Sequence, residues 1–131
     1  MRFVAILTTT LLTSCAALQR EALSPGLVTG GKEATLAYQA DASFGARMNE
    51  REWRNLRRAE LRALDFVVGG ESLEWASRSG GTRGRVGVSQ PFTVASRECR
   101  RFEHSVSRSG RTERVSGVAC RQGSGGWALV S

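Results

Sequence analysis

Apolar side chains between residues 49 and 68 recur every three or four positions, which is the period of an α-helix. Asn49 and Glu52 have the spacing of a capping box at its start, and Gly69-Gly70 is a typical terminator. The apolar stripe comprises Trp53, Leu56, Ala59, Ala63, Leu64 and Val67. Two interpretations are open: the stripe packs on a sheet of the same domain, or this arginine-rich helix lies on an anionic membrane.

After the two glycines the pattern changes to the period-two alternation that is typical of β-strands. Leu73 and Trp75 alternate with polar residues, and Val86 and Val88 do the same within residues 82–89. Further short runs occupy residues 92–94, 98–108, 111–121 and 126–130. The pattern predicts an α+β domain in which one N-terminal amphipathic helix packs on a small antiparallel sheet of about five strands.

The first 15 residues have the order of a bacterial secretion signal. Arg2 supplies a positive charge, residues 3–13 are uncharged and mostly apolar, and a cysteine follows Ser14. The apolar stretch is shorter than the ~20 residues that cross a bilayer as a helix, so it does not predict a permanent membrane span.

The tetrapeptide Leu12–Cys15 resembles the bacterial lipobox. The resemblance implies transfer of a diacylglyceryl group to the Cys15 thiol and cleavage after Ser14. Ala16, in place of the aspartate that commonly retains such proteins in the inner membrane, implies sorting to the outer membrane. An ordinary signal peptide with a chance cysteine is the alternative. We therefore expect a signal peptide over residues 1–14, a lipid-anchored flexible tether over residues 15–46 and an α+β domain over residues 47–131.

The chain carries 19 basic and 12 acidic residues, for a net charge of +7. Such an excess favours anionic partners, although an arginine-rich solvated surface without a ligand is an equally simple explanation. Secretion argues against nucleic acid and favours anionic envelope polymers such as lipopolysaccharide or peptidoglycan. The candidate anion-binding residues are Arg83, Arg85, Arg100, Arg101, Arg108 and Arg111.

Cys99 and Cys120 remain as a pair once Cys15 is assigned to the lipid. If Ser109-Gly110 is a two-residue hairpin loop, Arg108 faces Arg111 and the two cysteines face each other about 4.5 Å apart. In an oxidising compartment this register predicts a disulfide. Free thiols and a metal site are the alternatives, but two cysteines and one histidine fall short of a structural zinc set. The same register places Phe102 opposite Gly117.

No motif in the chain predicts an enzyme or a cofactor. His104 is the single histidine, no Gly-x-Ser-x-Gly turn occurs, and the carboxylates form no recognisable catalytic pair. The glycine-rich segment 81–87 lacks the Lys-Ser/Thr of a phosphate-binding loop, and a hairpin turn explains it better.

The C-terminal two-thirds, about residues 47–131, resembles the bacterial 17 kDa surface antigen lipoprotein family. The resemblance lies in the segments Cys99–Phe102, Gly117–Arg121 and Gly125–Val130. It implies an outer-membrane or periplasmic lipoprotein and implies no reaction. Many members carry a glycine-zipper hairpin before this module, whereas residues 16–46 contain no long apolar Gly-x-x-x-Gly run.

These observations predict a non-enzymatic outer-membrane lipoprotein with a structural or interaction role in the cell envelope. The alternative is a periplasmic binding or inhibitor module that uses its arginines to hold anionic envelope polymers or an acidic partner protein.

Overall fold

The computed structural model describes residues 31–131, so the predicted signal peptide and Cys15 lie outside the described residues. A 3-10 helix at Lys32–Ala34 is followed by helices α1 and α2 and strands β1 to β6. Their bounds are α1 Leu36–Ala40, α2 Glu50–Phe66, β1 Ser72–Ala76, β2 Thr82–Val88, β3 Phe92–Val94, β4 Arg97–Arg108, β5 Arg111–Arg121 and β6 Trp127–Leu129. Within this part of the chain, no helix is long and apolar enough to cross a bilayer.

The six strands form one antiparallel sheet in the order β1-β2-β4-β5-β6, and β3 pairs with the remaining part of β4. The predicted α+β class is confirmed, with six strands in place of about five. The short helix α1 precedes α2, so the predicted helix is not the first element of the domain.

Helix α2 begins with the predicted capping box. The Asn49 side chain accepts hydrogen bonds from the backbone N–H groups of Arg51 and Glu52, and the Glu52 carboxylate accepts one from the Asn49 N–H. The apolar stripe of α2 packs on the sheet in two buried clusters. One cluster contains Leu64, Val86 and Phe102, and the other contains Trp53, Leu56, Val106 and Val115. Of the two interpretations of the stripe, packing within the domain is therefore the one observed.

Residues 32–46 belong to the folded domain, so the prediction that the tether extends to residue 46 is wrong for them. Leu36 and Phe44 are buried in the same two clusters as α2, and the Phe44 ring meets the Trp53 ring edge-on at 6.3 Å. The helix in this segment has only five residues, too few to show an apolar period. The remaining part of the predicted tether, residues 15–30, lies outside the described residues.

Strands β4 and β5 form the hairpin that the Ser109-Gly110 loop predicts. Arg108 faces Arg111, and an unbroken ladder leads to Cys99 facing Cys120 with a Cα–Cα distance of 4.0 Å and a disulfide between them. Phe102 covers Gly117, where an added Cβ would lie 2.8 Å from the ring. The predicted register is therefore the observed one.

Candidate functional site

The helices cover one face of the sheet, and the opposite face is exposed to solvent. Strands alternate their side chains between the faces, and the buried and exposed positions of β2 and of residues 100–107 in β4 follow that alternation. Cys99, which shares the parity of the exposed positions, is buried. We call the uncovered side the open face. Its arginines are Arg83 and Arg85 on β2, Arg101 on β4 and Arg114 on β5, all of them exposed.

The open face has two shallow hollows that share Arg85 and Ser105. The first, of about 500 Å³, lies between Arg85 and Arg101, and the second, of about 470 Å³, lies beside Arg83. Serines line both hollows: Ser72, Ser89, Ser105 and Ser116 in the first, and Ser105 and Ser107 in the second. A ligand here would meet hydroxyl groups between arginines.

Gly87 deepens the first hollow. It faces Glu103 across the β2–β4 ladder, and a Cβ added to this glycine would meet no atom closer than 4.0 Å. The absence of a side chain therefore leaves space over the sheet that no neighbouring residue fills.

The open-face arginines retain most of their capacity to bind anions. Among residues 31–131, no carboxylate lies within 4.0 Å of the guanidinium groups of Arg83, Arg101 or Arg114. Arg85 donates one hydrogen bond through Nε to the hydroxyl of Ser72 at 2.9 Å, so its two terminal NH2 groups remain available to a ligand. Glu74 and Glu103 share the face, so the surface offers hydrogen-bond acceptors among a surplus of positive charge.

Arg100 does not belong to this surface, which corrects its prediction as an anion-binding residue. Its side chain points into the helix-covered face, where it is buried. The guanidinium donates hydrogen bonds to the carbonyl oxygens of Ala63, Leu64, Val67 and Ser89 at 2.7–3.3 Å. The last carbonyls of a helix have no partner within the helix, so Arg100 caps the C-terminal end of α2.

Arg108 also bonds to other parts of the domain, and its prediction as an anion-binding residue is corrected in the same way. Its Nη2 donates to both carboxylate oxygens of Glu52 at 2.6 Å, its Nε donates to the Thr82 hydroxyl, and its Nη1 donates to the Arg47 carbonyl. Burial raises the pKa of Glu52, but hydrogen bonds from Thr82, Asn49 and Arg108 outweigh burial and hold that pKa below its usual value.

The sixth candidate, Arg111, is exposed at the β4–β5 turn on the side of the domain away from the open face. It lines a cavity of about 120 Å³ together with Arg47, Arg108 and Glu113. The six predicted residues therefore divide into three on the open face, two that bond to other parts of the domain and one at the turn.

Arg114 is the open-face residue that the prediction missed. Arg114 faces Ser105 across the β4–β5 ladder. Ser105 follows Cys99 by six residues, so the Ser105–Arg114 pair lies on the same face of the sheet as the disulfide. The hairpin register alone therefore contained the signal, because an even separation along a strand preserves the face.

His104 is fully buried, with 0% of its side chain exposed, so it cannot reach a substrate in solvent. Its Nε2 lies 2.8 Å from Oε2 of Glu60, which is equally buried and also accepts the backbone N–H groups of Leu36 and Ala37. Over residues 31–131, no group of three or more histidine, cysteine, aspartate or glutamate residues is arranged to hold a metal.

The family model described as "17 kDa outer membrane surface antigen" matches residues 62–128, which is about half of the chain. The chain belongs to this family. The matched part of this family member runs from the end of α2 to β6 and includes the open face, the disulfide and the Arg100 cap.

Three 17 kDa surface antigens illustrate the similarity. The protein of Rickettsia bellii (strain RML369-C) is 29% identical over 89 residues, which are 67% of this chain and 56% of the relative. That of Rickettsia prowazekii (strain Madrid E) is 31% identical over 84 residues, 63% and 53% of the two chains, and that of Rickettsia felis is 30% identical over 85 residues, 64% and 54%. This surface antigen family member thus matches a little over half the length of these relatives. No solved structure matches it.

Proposed function

We propose that this chain is an outer-membrane lipoprotein, anchored through a lipid on Cys15, whose domain has a structural or interaction role and catalyses no reaction. The observation that carries the proposal is membership of a family described as outer membrane surface antigens. The lipobox-like segment Leu12–Cys15 supports the mode of attachment, because the thiol at its end is the group that such lipid transfer modifies.

The absence of catalysis is supported by two observations. The relatives are named surface antigens, and a surface antigen is not named for any reaction. The single histidine of the chain is enclosed in the domain and bonded to Glu60, so it does not serve as an acid or base for an external substrate.

The anchor is tested by the intact mass of the mature protein isolated from native membranes. We expect loss of residues 1–14, a mass increase on Cys15 equal to the attached lipid, and fractionation with the outer membrane. Cys15→Ser should abolish all three. Ser14→Ala is the matched control, because alanine also satisfies this lipobox position, and it should behave as wild type. An unmodified Cys15 in the native protein would overturn the proposal.

A second function is favoured by one specific observation, the arginines of the open face that have no carboxylate within reach. We propose that this face holds an anionic envelope polymer, with arginines on the charged groups and serines on neighbouring polar atoms. Guanidinium groups suit this task because they bind carboxylate or phosphate through two parallel hydrogen bonds. An acidic partner protein would meet the same groups.

Binding to purified peptidoglycan and to lipopolysaccharide tests this second function. We expect Arg85→Gln/Arg114→Gln to reduce binding, and wild-type binding to weaken as salt rises from about 0.05 M to about 0.5 M, because salt screens exposed charges. Arg111→Gln, at the turn, removes a positive charge outside the face and should have little effect. Equal loss in the two variants, or binding that is insensitive to salt, contradicts a role for the open face.

A further inference from the structure

The exposed side of helix α2 carries four arginines in one stripe, and the last two of them also border the groove between α2 and β1. Arg51, Arg54, Arg58 and Arg62 are separated by three, four and four residues, and all four are exposed. At 1.5 Å of rise per residue the stripe is about 16 Å long. Its members are neighbours on the helix surface, so each arginine lies beside another positive charge.

This arrangement opposes the stability of the isolated helix. Like charges at spacings of three or four residues destabilise a helix. Within residues 31–131, no carboxylate lies within 4.0 Å of these four guanidinium groups. Asp65, the acidic residue three positions after Arg62, is instead bonded to Arg121 and to the Trp127 indole. A row of like charges lowers the stability of a helix, so such a row is expected to serve a function that offsets this loss.

An exposed aromatic residue continues the same stripe. Phe66 follows Arg62 by four residues and is 80% exposed, and Val68, just after the helix, is 62% exposed. Large apolar side chains at this exposure gain nothing from the core of the domain. A cluster of four cations on a helix suits anionic lipid head groups, and an exposed phenylalanine at its end adds apolar surface for the interface.

The entry of the chain into the domain places this stripe near the proposed anchor. A Cβ added to Gly31 would lie 3.2 Å from the carboxylate of Glu50, so the described chain begins beside the first residue of α2. Residues 16–30 separate Gly31 from Cys15 and span at most about 50–55 Å when fully extended. A lipid on Cys15 would therefore hold the stripe at high local concentration over the membrane.

We infer that the arginine stripe of α2, ending at Phe66, is a membrane-docking face that binds the phosphate groups of an anionic lipid leaflet. Arg51, Arg54, Arg58 and Arg62 bind head groups, and Phe66 enters the interface. The inference rests on the proposed function, which supplies the membrane. It adds the orientation of the domain on that membrane. Because the stripe and the open face lie on opposite sides of the domain, docking through α2 turns the open face away from the bilayer.

The test uses the disulfide-bonded chain that starts at Ala16, which has no Cys15 and carries no lipid. The two buried clusters and the disulfide described above are formed by residues 31–131, all of which this chain contains. Cosedimentation is measured with vesicles of phosphatidylcholine alone and with vesicles that contain about 30% phosphatidylglycerol. We expect binding to the anionic vesicles only, with affinity that falls as salt rises.

Two fourfold variants remove the same charge from opposite sides. Arg51, Arg54, Arg58 and Arg62 are replaced by glutamine in one, and Arg83, Arg85, Arg101 and Arg114 in the other. An arginine near an anionic surface contributes about a fivefold gain in affinity, so loss of four should weaken binding by up to about 600-fold in the first variant and by much less in the second. Phe66→Ser should lose about fivefold and keep the salt dependence of wild type.

Equal loss in the two fourfold variants would overturn the inference, because net charge would then explain binding. So would absence of binding to anionic vesicles, or undiminished binding by the α2 variant. None of these results bears on lipidation of Cys15, which is measured separately by mass on the native protein. A native protein without lipid would leave the vesicle result unchanged and would overturn the proposed anchor alone.

Discussion

Nε2 of His104 lies 2.8 Å from Oε2 of Glu60, and neither side chain is exposed to solvent. The same carboxylate accepts the N–H groups of Leu36 at 2.9 Å and Ala37 at 3.2 Å, which are the first residues of α1. Those N–H groups have no partner within the helix, so one side chain of α2 satisfies α1 and β4 together. Glu60 therefore joins three elements that are far apart in the chain.

Loss of this carboxylate should be strongly destabilising. Glu60→Ala leaves two backbone donors and the imidazole without their partner, and we expect the free energy of unfolding to fall by about 3–5 kcal/mol. Glu60→Gln retains one oxygen acceptor and should lose less. Urea denaturation measures the change, with Glu103→Ala on the open face as the control, expected within about 0.5 kcal/mol of wild type. Equal midpoints for Glu60→Ala and Glu103→Ala would contradict this role.

Two adjacent arginines should differ sharply in their contribution to stability. Arg100→Met removes the hydrogen-bond donors of four carbonyl oxygens, three at the end of α2 and one just after β2. We expect the free energy of unfolding to fall by about 2–4 kcal/mol. Arg101→Met, one residue further along on the open face, should change stability by less than about 0.5 kcal/mol. Arg100→Lys should recover only part of the loss, because an ammonium cannot reproduce the planar fork.

The comparison of Arg100 with Arg101 is made by urea denaturation at constant ionic strength, since both substitutions remove one positive charge. A similar loss in the two methionine variants would mean that charge, and not the cap, determines stability.

Two glycines of β2 should respond in opposite ways to alanine. At Gly84 an added Cβ would lie 2.1 Å from the Trp75 indole, so Gly84→Ala should cost about 1–3 kcal/mol through overpacking. At Gly87 the space is open, and Gly87→Ala should be neutral or should stabilise by up to about 1 kcal/mol. Thermal unfolding distinguishes them. If both variants lose stability equally, strand glycine itself is required and the Trp75 contact is not the cause.

The lowered pKa of Glu52 predicts a pH dependence of stability. A carboxyl whose pKa is lower in the folded state than its ordinary value of 4.5 stabilises the fold above that value. This contribution is lost as the pH falls through the folded-state pKa. Between pH 7 and about pH 3, the free energy of unfolding of Glu52→Gln should therefore fall less steeply than that of wild type.

Urea titrations at several pH values measure this difference. Glu103→Gln, on the open face, provides the control and should follow the wild-type slope. A Glu52→Gln variant with the full acid dependence of wild type would assign that dependence to other carboxylates.

The hairpin and the disulfide were accessible from the sequence because their geometry is local. A two-residue loop determines which residues face each other, and every pair up to Cys99 and Cys120 follows by counting. The apolar stripe of α2 and its capping box were accessible for the same reason, since both depend on spacings of three and four residues within one segment.

The roles of the arginines were not accessible in this way. Arg100 and Arg101 are the same residue type at adjacent positions, yet one caps α2 and the other lies on the open face. Alternation alone separates their faces, but only the placement of α2 across the sheet brings the carbonyls of Ala63, Leu64 and Val67 to Arg100. Arg108 and Glu52, 56 residues apart, depend on the same packing.

What the sequence by itself determined was the set of local elements, the strand register and the cysteine pair, because these depend on periodicity and turn length. The tertiary structure alone decided that residues 32–46 join the core, that Glu60 joins α1 to β4, and which arginines remain exposed. These outcomes depend on contacts between segments more than 20 residues apart. Such contacts require partners that are buried together at matching positions, and the spacing of residues within one segment does not predict them.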